Sequence, residues 1–365
     1  MVSPYDLSVY GGVQGQVSGL AAALRKLGHD VVVVAPGTGA GDGGRTVLVG
    51  RAVGVSANGS VAPVAISPAA AYRAARVVRD PGIDVVHLHE PLAPVLNYGC
   101  LVAARQPIVG TFHRNGKSAL YRALGPAARW AVARLAARCA VSEAARDNVA
   151  SLGADFEVLF NGIDVDRFAT DTPTPTTAPT VLFVGRHEPR KGLAVLLEAF
   201  ESVTPPATLW IAGEGPATAE LRRRYPPSTT LQWLGAITDD QRAARMAGAD
   251  VFCAPSLGGE SFGMVLLEAM AAGCALVASD IDGYRAAALD HALLVPPGDP
   301  VALSSALDDA LSDAVAGRGL SSDAALGSAR RRADEWSMAR LAGRYVEIYE
   351  RVLAGRGNRA AQGQG

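Results

Sequence analysis

Length, composition and charge limit what this chain can be. Its 365 residues are enough to bury two ordinary hydrophobic cores, and its 49% apolar and 19% charged residues exclude a disordered chain and favour a folded α/β protein. The net charge of −1 gives no overall electrostatic reason to bind nucleic acid, so we predict no nucleic-acid partner.

The first predicted elements are a strand, a glycine loop and a helix. Residues 1–5 have the pattern of the end of a strand, so we expect the strand and its start codon to begin several residues upstream. The Gly11-Gly12 pair follows, and a helix is predicted from about Val13 to Leu27, with Gly28 as its stop. Its apolar face is predicted to consist of Val17, Leu20, Ala21, Leu24 and Leu27.

Further short apolar runs alternate with helical patterns along the chain, which favours parallel sheets covered by helices. Strands are predicted at residues 30–35, 84–88, 108–112, 180–184, 208–212, 250–254 and 275–278. Another helix is predicted to begin with Ser67 as its N-cap and Pro68 in its first turn.

The domain boundary is predicted from a segment rich in threonine and proline. Residues 170–180 cannot sustain a helix and are typical of an extended linker. We therefore expect an N-terminal Rossmann-like domain at 1–169, which would take the acceptor, and a C-terminal Rossmann-like donor domain at 181–335. A helical stripe predicts a helix at 336–354 that packs back on the N-terminal domain, and residues 355–365 are predicted to be a disordered tail.

Cysteine spacing and hydropathy indicate the compartment. The four cysteines are far apart and form neither a CxxC pair nor a metal-ligand spacing with histidine, so we interpret them as buried thiols. No apolar run reaches about 18 residues, and no charged N-terminal segment precedes an apolar stretch, so neither a spanning helix nor a signal peptide is predicted. A cytoplasmic protein is expected.

Two loops after predicted strands carry candidate anion-binding groups. The Gly11-Gly12 turn can point backbone N–H groups at an anion, although such a pair is equally often a structural device. In residues 185–192, Arg186 and Lys191 are suited to neutralise the charge that builds on a diphosphate leaving group. Ligands of doubly wound sheets bind at strand ends. A solvated basic loop is the alternative.

Two carboxylates stand eight residues apart in the C-terminal half. Glu260 lies in a glycine-rich loop and Glu268 two turns into the helix that follows, so both can face one cleft. One could bind sugar hydroxyls and the other a ribose. A surface position for Glu268 is the alternative, which its apolar neighbours Val265–Leu267 and Ala269–Met270 disfavour.

Arg-x4-Lys followed by Glu-x7-Glu resembles glycosyltransferase family 4, and the resemblance covers nearly the whole chain. More narrowly, several segments resemble an actinobacterial branch of that family, which transfers mannose from GDP-mannose to the 2-hydroxyl of phosphatidyl-myo-inositol. The resemblance implies the GT-B fold, with two Rossmann-like domains facing each other across a deep cleft. The segments are residues 3–5, 11–14, 58–61, 87–91, 110–113, 161–164 and 258–263.

The resemblance also implies a role for individual residues. Gly12, Arg186 and Lys191 would hold the diphosphate, Glu260 the mannose and Glu268 the ribose. The nucleoside region would be held by Ile237, Asp239, Arg242 and Met264. The acceptor would be bound by Tyr5, Gln14, Asn58, His113, Arg114, Lys117 and Glu188.

The implied catalytic groups are His113, Arg186, Lys191 and Glu260. His113 would lie beside the reacting carbon and the inositol; a satisfied core histidine is the alternative. The family retains the configuration of the sugar, most simply by front-side attack in which the leaving phosphate helps to take the acceptor proton. No residue here is an obvious covalent nucleophile. No bound metal or tightly bound cofactor is predicted, and stimulation by a divalent cation stays open.

Basic residues in the N-terminal half predict contact with an anionic lipid surface. Residues 91–142 contain seven cations and no acidic residue, and three arginines lie near one face of the helix after Pro68. Such a surface would hold the protein peripherally on the cytoplasmic face of the membrane. Solvated arginines are the alternative. The predicted membrane patch is Arg73, Arg76 and Arg79.

The chain also departs from the lipid-mannosylating branch. Pro63 stands where the branch has an arginine that binds the acceptor phosphate, and Arg114 replaces a threonine. The donor loop is one residue shorter near Glu188. A family 4 enzyme with a soluble sugar-phosphate or small-metabolite acceptor is therefore one alternative, and a non-catalytic nucleotide-sugar or lipid-binding protein is another. A dinucleotide-dependent oxidoreductase is disfavoured because no GxGxxG follows the first strand.

Overall fold

The chain divides into two α/β units. In this computed structural model the described residues are 1–9, 11–38, 45–57, 60–114, 119–260 and 262–362. The first unit comprises Met1–Gly162 together with Met338–Gly365, and the second comprises Ile163–Ser337. Each has its own parallel sheet with helices packed on both faces.

The first unit contains eight of the strands and six of the helices found in the described ranges. Its strands are β1 (Val33–Ala35), β2 (Thr46–Leu48), β3 (Val53–Ala57), β4 (Ser60–Val64), β5 (Val86–His89), β6 (Ile108–Phe112), β7 (Ala137–Ala140) and β8 (Glu157–Val158). Its helices are α1 (Gly12–Lys26), α2 (Pro68–Val78), α3 (Leu96–Ala103), α4 (Ala119–Ala133), α5 (Glu143–Ala150) and α14 (Met338–Gln362).

The main sheet of this unit has the Rossmann strand order. Val2 makes parallel bridges to Val34 of β1 and Leu88 of β5, so it occupies a strand position between them. The sheet then runs β2-β1-Val2-β5-β6-β7-β8, and β3 and β4 form a separate antiparallel hairpin. Because the order reverses at Val2, the segments after Val2 and after β5 emerge at the switch point, where such folds bind ligands.

Alternate residues of the buried strands fill two cores, as expected for a sheet covered on both faces. Ile108 and Phe112 of β6 pack against α2, α3 and α4, whereas Val109 packs on the opposite face with α1 and α14. On that face Tyr345 of α14 lies in the same cluster as Leu20 of α1. The C-terminal helix is therefore part of the core of the first unit.

The second unit contains the remaining described elements. Its strands are β9 (Thr180–Val184), β10 (Thr208–Ala212), β11 (Leu231–Gly235), β12 (Val251–Ala254), β13 (Ala275–Ser279) and β14 (Leu293–Val295). Its helices are α6 (Val165–Phe168), α7 (Leu193–Phe200), α8 (Thr218–Arg224), α9 (Asp239–Gly248), α10 (Met264–Ala272), α11 (Asp282–Ala288), α12 (Pro300–Ala316) and α13 (Asp323–Glu335), with short 3₁₀ turns at Pro189–Lys191 and Gly319–Ser321.

All six strands of this unit are parallel and run in the order β11-β10-β9-β12-β13-β14. Helices bridge consecutive strands and cover both faces of the sheet, with Leu182 in one core and Val181 and Phe183 in the other. The order reverses between β9 and β12, so the loops after these two strands emerge side by side at the switch point.

Three features differ from the sequence predictions. The boundary lies between Gly162 and Ile163, because the threonine- and proline-rich segment packs on the second unit, where the Thr174 N–H donates to Ala244 O of α9. Leu27, predicted on the buried face of α1, is 52% exposed, since it lies at the C-cap where the helix ends. The last helix continues to Gln362, beyond its predicted end at residue 354. In the described ranges, no helix is long and apolar enough to span a membrane.

Candidate active site

The switch point of the second unit gathers the loops that carry the predicted donor residues. Residues 185–192 follow β9, and residues 255–263 follow β12, its neighbour in the sheet. The loops approach so closely that a Cβ added at Gly192, whose φ is +70°, would lie 1.9 Å from Pro255 O. A side chain at this position would collide with the backbone, so glycine allows the two loops to touch.

Five charged side chains form an alternating cluster across these loops. The Glu260 Oε1 accepts from Lys191 Nζ at 2.6 Å and from Arg190 Nη1 at 3.2 Å. Glu188 pairs with Arg190 at 3.0 Å and with Arg186 at 2.8 Å. Three cations against two carboxylates leave one net positive charge, which favours an anionic ligand.

The members of this cluster differ in how accessible they are. Arg186 is 62% exposed, whereas Lys191 and Glu260 are largely buried. Arg186 can therefore turn toward an incoming anion, while Lys191 is held in place by its carboxylate partner. The cations of this cluster can bind the phosphates of a ligand, and its carboxylates can accept hydrogen bonds from hydroxyl groups.

A second network surrounds Glu268 on α10. The Glu268 Oε2 accepts from Arg242 Nη1 at 2.9 Å, Arg242 pairs with Asp239 at 3.2 Å, and Asp239 pairs with Arg167 at 3.1 Å. Burial raises the pKa of Glu268 to about 7, and the Arg242 guanidinium partly offsets this. The structure thus brings three of the predicted nucleoside and ribose residues, Asp239, Arg242 and Glu268, into one hydrogen-bonded chain.

Ile237 and Met264 lie at the ends of the elements that carry this network. Ile237 is half-buried in the segment between β11 and α9, and Met264 is the first residue of α10. Both positions follow strand ends of the same sheet.

In the first unit, His113 follows β6 and belongs to a group of three neighbouring histidines with His87 and His89. Its Nε2 lies 2.9 Å from His89 Nδ1, and its backbone N–H donates to Glu90 Oε1 at 2.6 Å. Burial lowers the pKa of His113 to about 3, so its imidazole is neutral near pH 7. The two histidines line a small pocket together with Gln16, Leu20, Val141, Leu159, Phe160, Asn161, Leu341 and Tyr345.

Three predicted site residues of this unit come after Val2, the strand position that borders the switch point opposite β5. They are Tyr5, Gly12 and Gln14. Gly12 is the first residue of α1, and a Cβ there would meet open space. The Gln14 side chain is buried against Gly11, and Tyr5 forms an antiparallel bridge with Val64. Burial raises the pKa of Tyr5 well above its usual value, so its phenol stays protonated.

The whole chain is similar to known glycosyltransferases. Residues 10–167 match Glycosyltransferase Family 4, and residues 178–313 match Glycosyl transferases group 1. A phosphatidyl-myo-inositol mannosyltransferase of Mycobacterium tuberculosis is 40% identical over 369 residues, covering 96% of each chain. The chain is a family 4 glycosyltransferase.

Two other similarities agree with this assignment. A phosphatidyl-myo-inositol mannosyltransferase of Propionibacterium freudenreichii is 34% identical to this glycosyltransferase, covering 78% of this chain and 77% of that one. The solved structure of a sucrose-phosphate synthase of Thermosynechococcus elongatus superposes with a TM-score of 0.71 at 21% identity, covering 97% of this chain and 98% of that one. The predicted GT-B fold class is confirmed.

Not every predicted site residue of the glycosyltransferase has a described environment. Asn58 and Lys117 lie outside the described residues. Arg114 is half-buried, and its carbonyl accepts from the Asn148 side chain at 3.2 Å. Glu188, predicted to bind the acceptor, is paired with Arg186 and Arg190. Among the residues the structure describes, no group of three or more His, Cys, Asp or Glu could hold a metal ion.

Sequence reasoning assigned no role to two residues that the structure brings into these clusters. Arg190 bridges Glu188 and Glu260, and His89 hydrogen-bonds His113. Arg190 stands next to Lys191 in the basic loop at residues 185–192, so its position in the sequence could have predicted that it belongs to the same cluster. His89 is the last residue of the buried strand β5 and lies 24 residues from His113 in the sequence, and only the pairing of β5 with β6 brings the two together.

Proposed function

We propose that this glycosyltransferase moves mannose from GDP-mannose to the 2-hydroxyl of the inositol ring of phosphatidyl-myo-inositol, with retention of configuration, at the cytoplasmic face of the membrane. The observation that carries the proposal is the Arg186–Glu188–Arg190–Glu260–Lys191 cluster at the switch point of the second unit. The names of the relatives described above support mannose as the sugar and phosphatidylinositol as the acceptor.

On the donor side, the cluster offers charge where the leaving group develops it. Breaking the bond between the sugar and the diphosphate builds negative charge on the phosphate, which Arg186 and Lys191 would neutralise. Glu260 accepts two charged hydrogen bonds on Oε1 in the free protein, and its carboxylate would also accept from mannose hydroxyls. Glu268 would accept from the ribose, and the residues from Ile237 to Arg242 together with Met264 would contact the nucleoside.

On the acceptor side, His113 would lie beside the reacting carbon and the inositol. The proposed reaction is front-side attack, in which the inositol hydroxyl forms the new bond to the sugar and passes its proton to the departing phosphate. His113 is neutral near pH 7 because burial lowers its pKa to about 3, so it would orient the reacting groups rather than supply charge. The proposal involves no tightly bound cofactor, and a divalent cation would act at most as a stimulant.

Attachment to the membrane would use the exposed face of α2. Arg73, Arg76 and Arg79 are exposed there, and Tyr72 beside them is 64% exposed. Each arginine near an anionic leaflet contributes about 1 kcal/mol, and an exposed aromatic ring suits the interface. Arg73 also donates to Val49 O at 2.8 Å. This bond ties α2 to the residue after β2 and limits how far the Arg73 side chain can extend toward a membrane.

A soluble phosphorylated acceptor is a second candidate, and one observation favours it. Pro63 stands in β4 opposite Gly54, and its carbonyl accepts from the Asp6 N–H, next to Tyr5. Proline offers neither a side-chain nor a backbone donor to a phosphate, so the acceptor contact expected there from the lipid-mannosylating branch is missing. Arg114 would have to supply that contact from another direction.

The test is transfer of labelled mannose from GDP-mannose to vesicles that contain phosphatidylinositol, with UDP-glucose as the alternative donor and a soluble inositol phosphate as the alternative acceptor. Label in the lipid supports the proposal. Label in the soluble inositol phosphate alone would favour the second candidate, and release of free sugar without transfer would contradict both.

A further inference from the structure

The hydrogen bond between His89 and His113 has a direction that the structure can assign. Burial lowers the pKa of both imidazoles, so each ring is neutral near pH 7 and carries one N–H. His89 Nδ1 and His113 Nε2 lie 2.9 Å apart, so one of these nitrogens donates and the other accepts. The choice decides whether the second nitrogen of His113, Nδ1, carries a proton.

The other nitrogen of His89 decides between the two arrangements. His89 Nε2 is buried and has no hydrogen-bond partner among the residues that the structure describes. If His113 donated, the proton of His89 would sit on Nε2, as a buried N–H without an acceptor. If His89 donates, Nε2 keeps only a lone pair. Buried N–H groups without partners are rarer than unsatisfied acceptors, which favours the second arrangement.

The surroundings hold the His89 ring in the orientation that this bond requires. His87 stacks on one face of this ring with centroids 4.4 Å apart, and His113 lies beside its edge, with centroids 5.2 Å apart and ring planes 28° apart. The Asn97 side chain donates to the backbone oxygens of both His89 and Glu90, at 2.9 and 2.7 Å. His87 is fixed in turn by Thr111 at 2.8 Å.

We infer that His89 is a positioning residue that donates from Nδ1 to His113 and so fixes His113 as the Nδ1–H tautomer, a hydrogen-bond donor toward an oxygen of the bound substrate. This inference deepens the proposed function, because it assigns the bond that His113 makes there. A donor of this kind binds a hydroxyl or ring-oxygen lone pair and cannot act as a general base. It therefore agrees with a reaction in which the leaving phosphate takes the acceptor proton.

The direct test uses the free wild-type protein labelled with ¹⁵N-histidine. Nitrogen chemical shifts distinguish a protonated from an unprotonated ring nitrogen, and the His113→Gln variant identifies the resonances of His113. We expect the proton on Nδ1 of His113. A proton on Nε2 would overturn the inference. Because no substrate is used, this result is independent of whether the protein transfers mannose.

Two substitutions of His89, to Asn and to Asp, match each other in shape and test what this hydrogen bond does for turnover. His89→Asn keeps a donor near the position of Nδ1, whereas the carboxylate of His89→Asp can only accept and forces the proton of His113 onto Nε2. We expect kcat of the Asp variant to be on the order of tenfold below that of the Asn variant, with KM for GDP-mannose within about twofold. Equal kcat in two folded variants would overturn the inference. His29→Asn and His29→Asp, at an exposed position, are the matched controls.

Discussion

Replacing Lys191 with methionine separates the role of its charge in transfer from its role in stability. The variant keeps an unbranched side chain of similar length but removes the ammonium that lies 2.6 Å from Glu260 Oε1. Glu260 would keep Arg190 at 3.2 Å, so its carboxylate is not left without a partner. We therefore expect a loss of about 1–2 kcal/mol in the free energy of unfolding, less than the roughly 3–5 kcal/mol of an orphaned buried charge.

The expected effect on turnover is larger than the effect on stability. Removing one preorganised group that stabilises developing charge costs about 10²–10³ in kcat, which corresponds to about 3–4 kcal/mol. A protein with an ordinary reserve of about 5–15 kcal/mol stays folded after the loss expected here. The Lys191→Met variant should thus be folded and at least tenfold slower.

The assay is the initial rate of labelled mannose transfer at saturating GDP-mannose, with urea unfolding of the same preparation. Lys26→Met, on the exposed last turn of α1, is the matched control for the substitution and should match the wild type in the rate of transfer. A folded Lys191→Met protein with a rate within threefold of the wild type would refute the role of this ammonium in the reaction.

Three further predictions concern stability and membrane binding. Burial raises the pKa of Glu268 from 4.5 to about 7. Its contribution to stability is therefore present below pH 4.5 and is lost as the pH rises through about 7. Relative to Glu268→Gln, the wild type should lose about 3 kcal/mol in the free energy of unfolding over that range. Gly213→Ala should lower the free energy of unfolding by at least about 2 kcal/mol, because φ is +116° and the new Cβ would lie 2.0 Å from Gly185 O. Changing three arginines together to glutamine, namely Arg73, Arg76 and Arg79, should weaken sedimentation with anionic vesicles. The KM for GDP-mannose should stay unchanged.

Each of these predictions has its own control. A difference between wild type and Glu268→Gln that stays constant with pH would contradict the linkage. Gly327→Ala lies inside α13, where a Cβ meets an ordinary contact at 3.7 Å, and should not destabilise the fold; equal stability of the two alanine variants would contradict the steric argument. Equal binding of the triple variant and the wild type to anionic vesicles would contradict a membrane role for α2, and neutral vesicles give the baseline.

The strands that sequence alone predicted are those buried on both faces. Residues 108–112, 180–184 and 208–212 are short apolar runs, and all three became strands with the predicted bounds. The edge strands β11 and β14 were missed, because their side chains are half-buried and the apolar pattern is weak. The β3–β4 hairpin and the strands β2, β7 and β8 were missed as well.

The domain boundary shows why local composition is a weak guide to packing. The segment at 170–180 was predicted as a linker because proline and threonine cannot sustain a helix, and it is indeed non-helical. Extended chain can still pack on a domain, and here Thr174 is hydrogen-bonded to α9. The observed boundary after Gly162, seven residues before the predicted end of the domain at residue 169, depends on contacts that no local pattern encodes.

In the candidate site, residue types could be predicted and pairings could not. The sequence singled out Arg186, Lys191, Glu260 and Glu268 from their spacing and from a family resemblance. That Glu260 binds Lys191 while Glu268 binds Arg242 follows from which strands are neighbours, because the chain reverses its strand order at β9.

The measurement that tests the central claim most directly is the incorporation of labelled mannose from GDP-mannose into phosphatidylinositol vesicles by the wild-type protein, with the configuration of the product determined by NMR. We expect α-linked mannose on the inositol ring, since GDP-mannose is an α-glycoside and the proposed reaction retains configuration. A β-linked product, or no label in the lipid while another acceptor is labelled, would contradict the account.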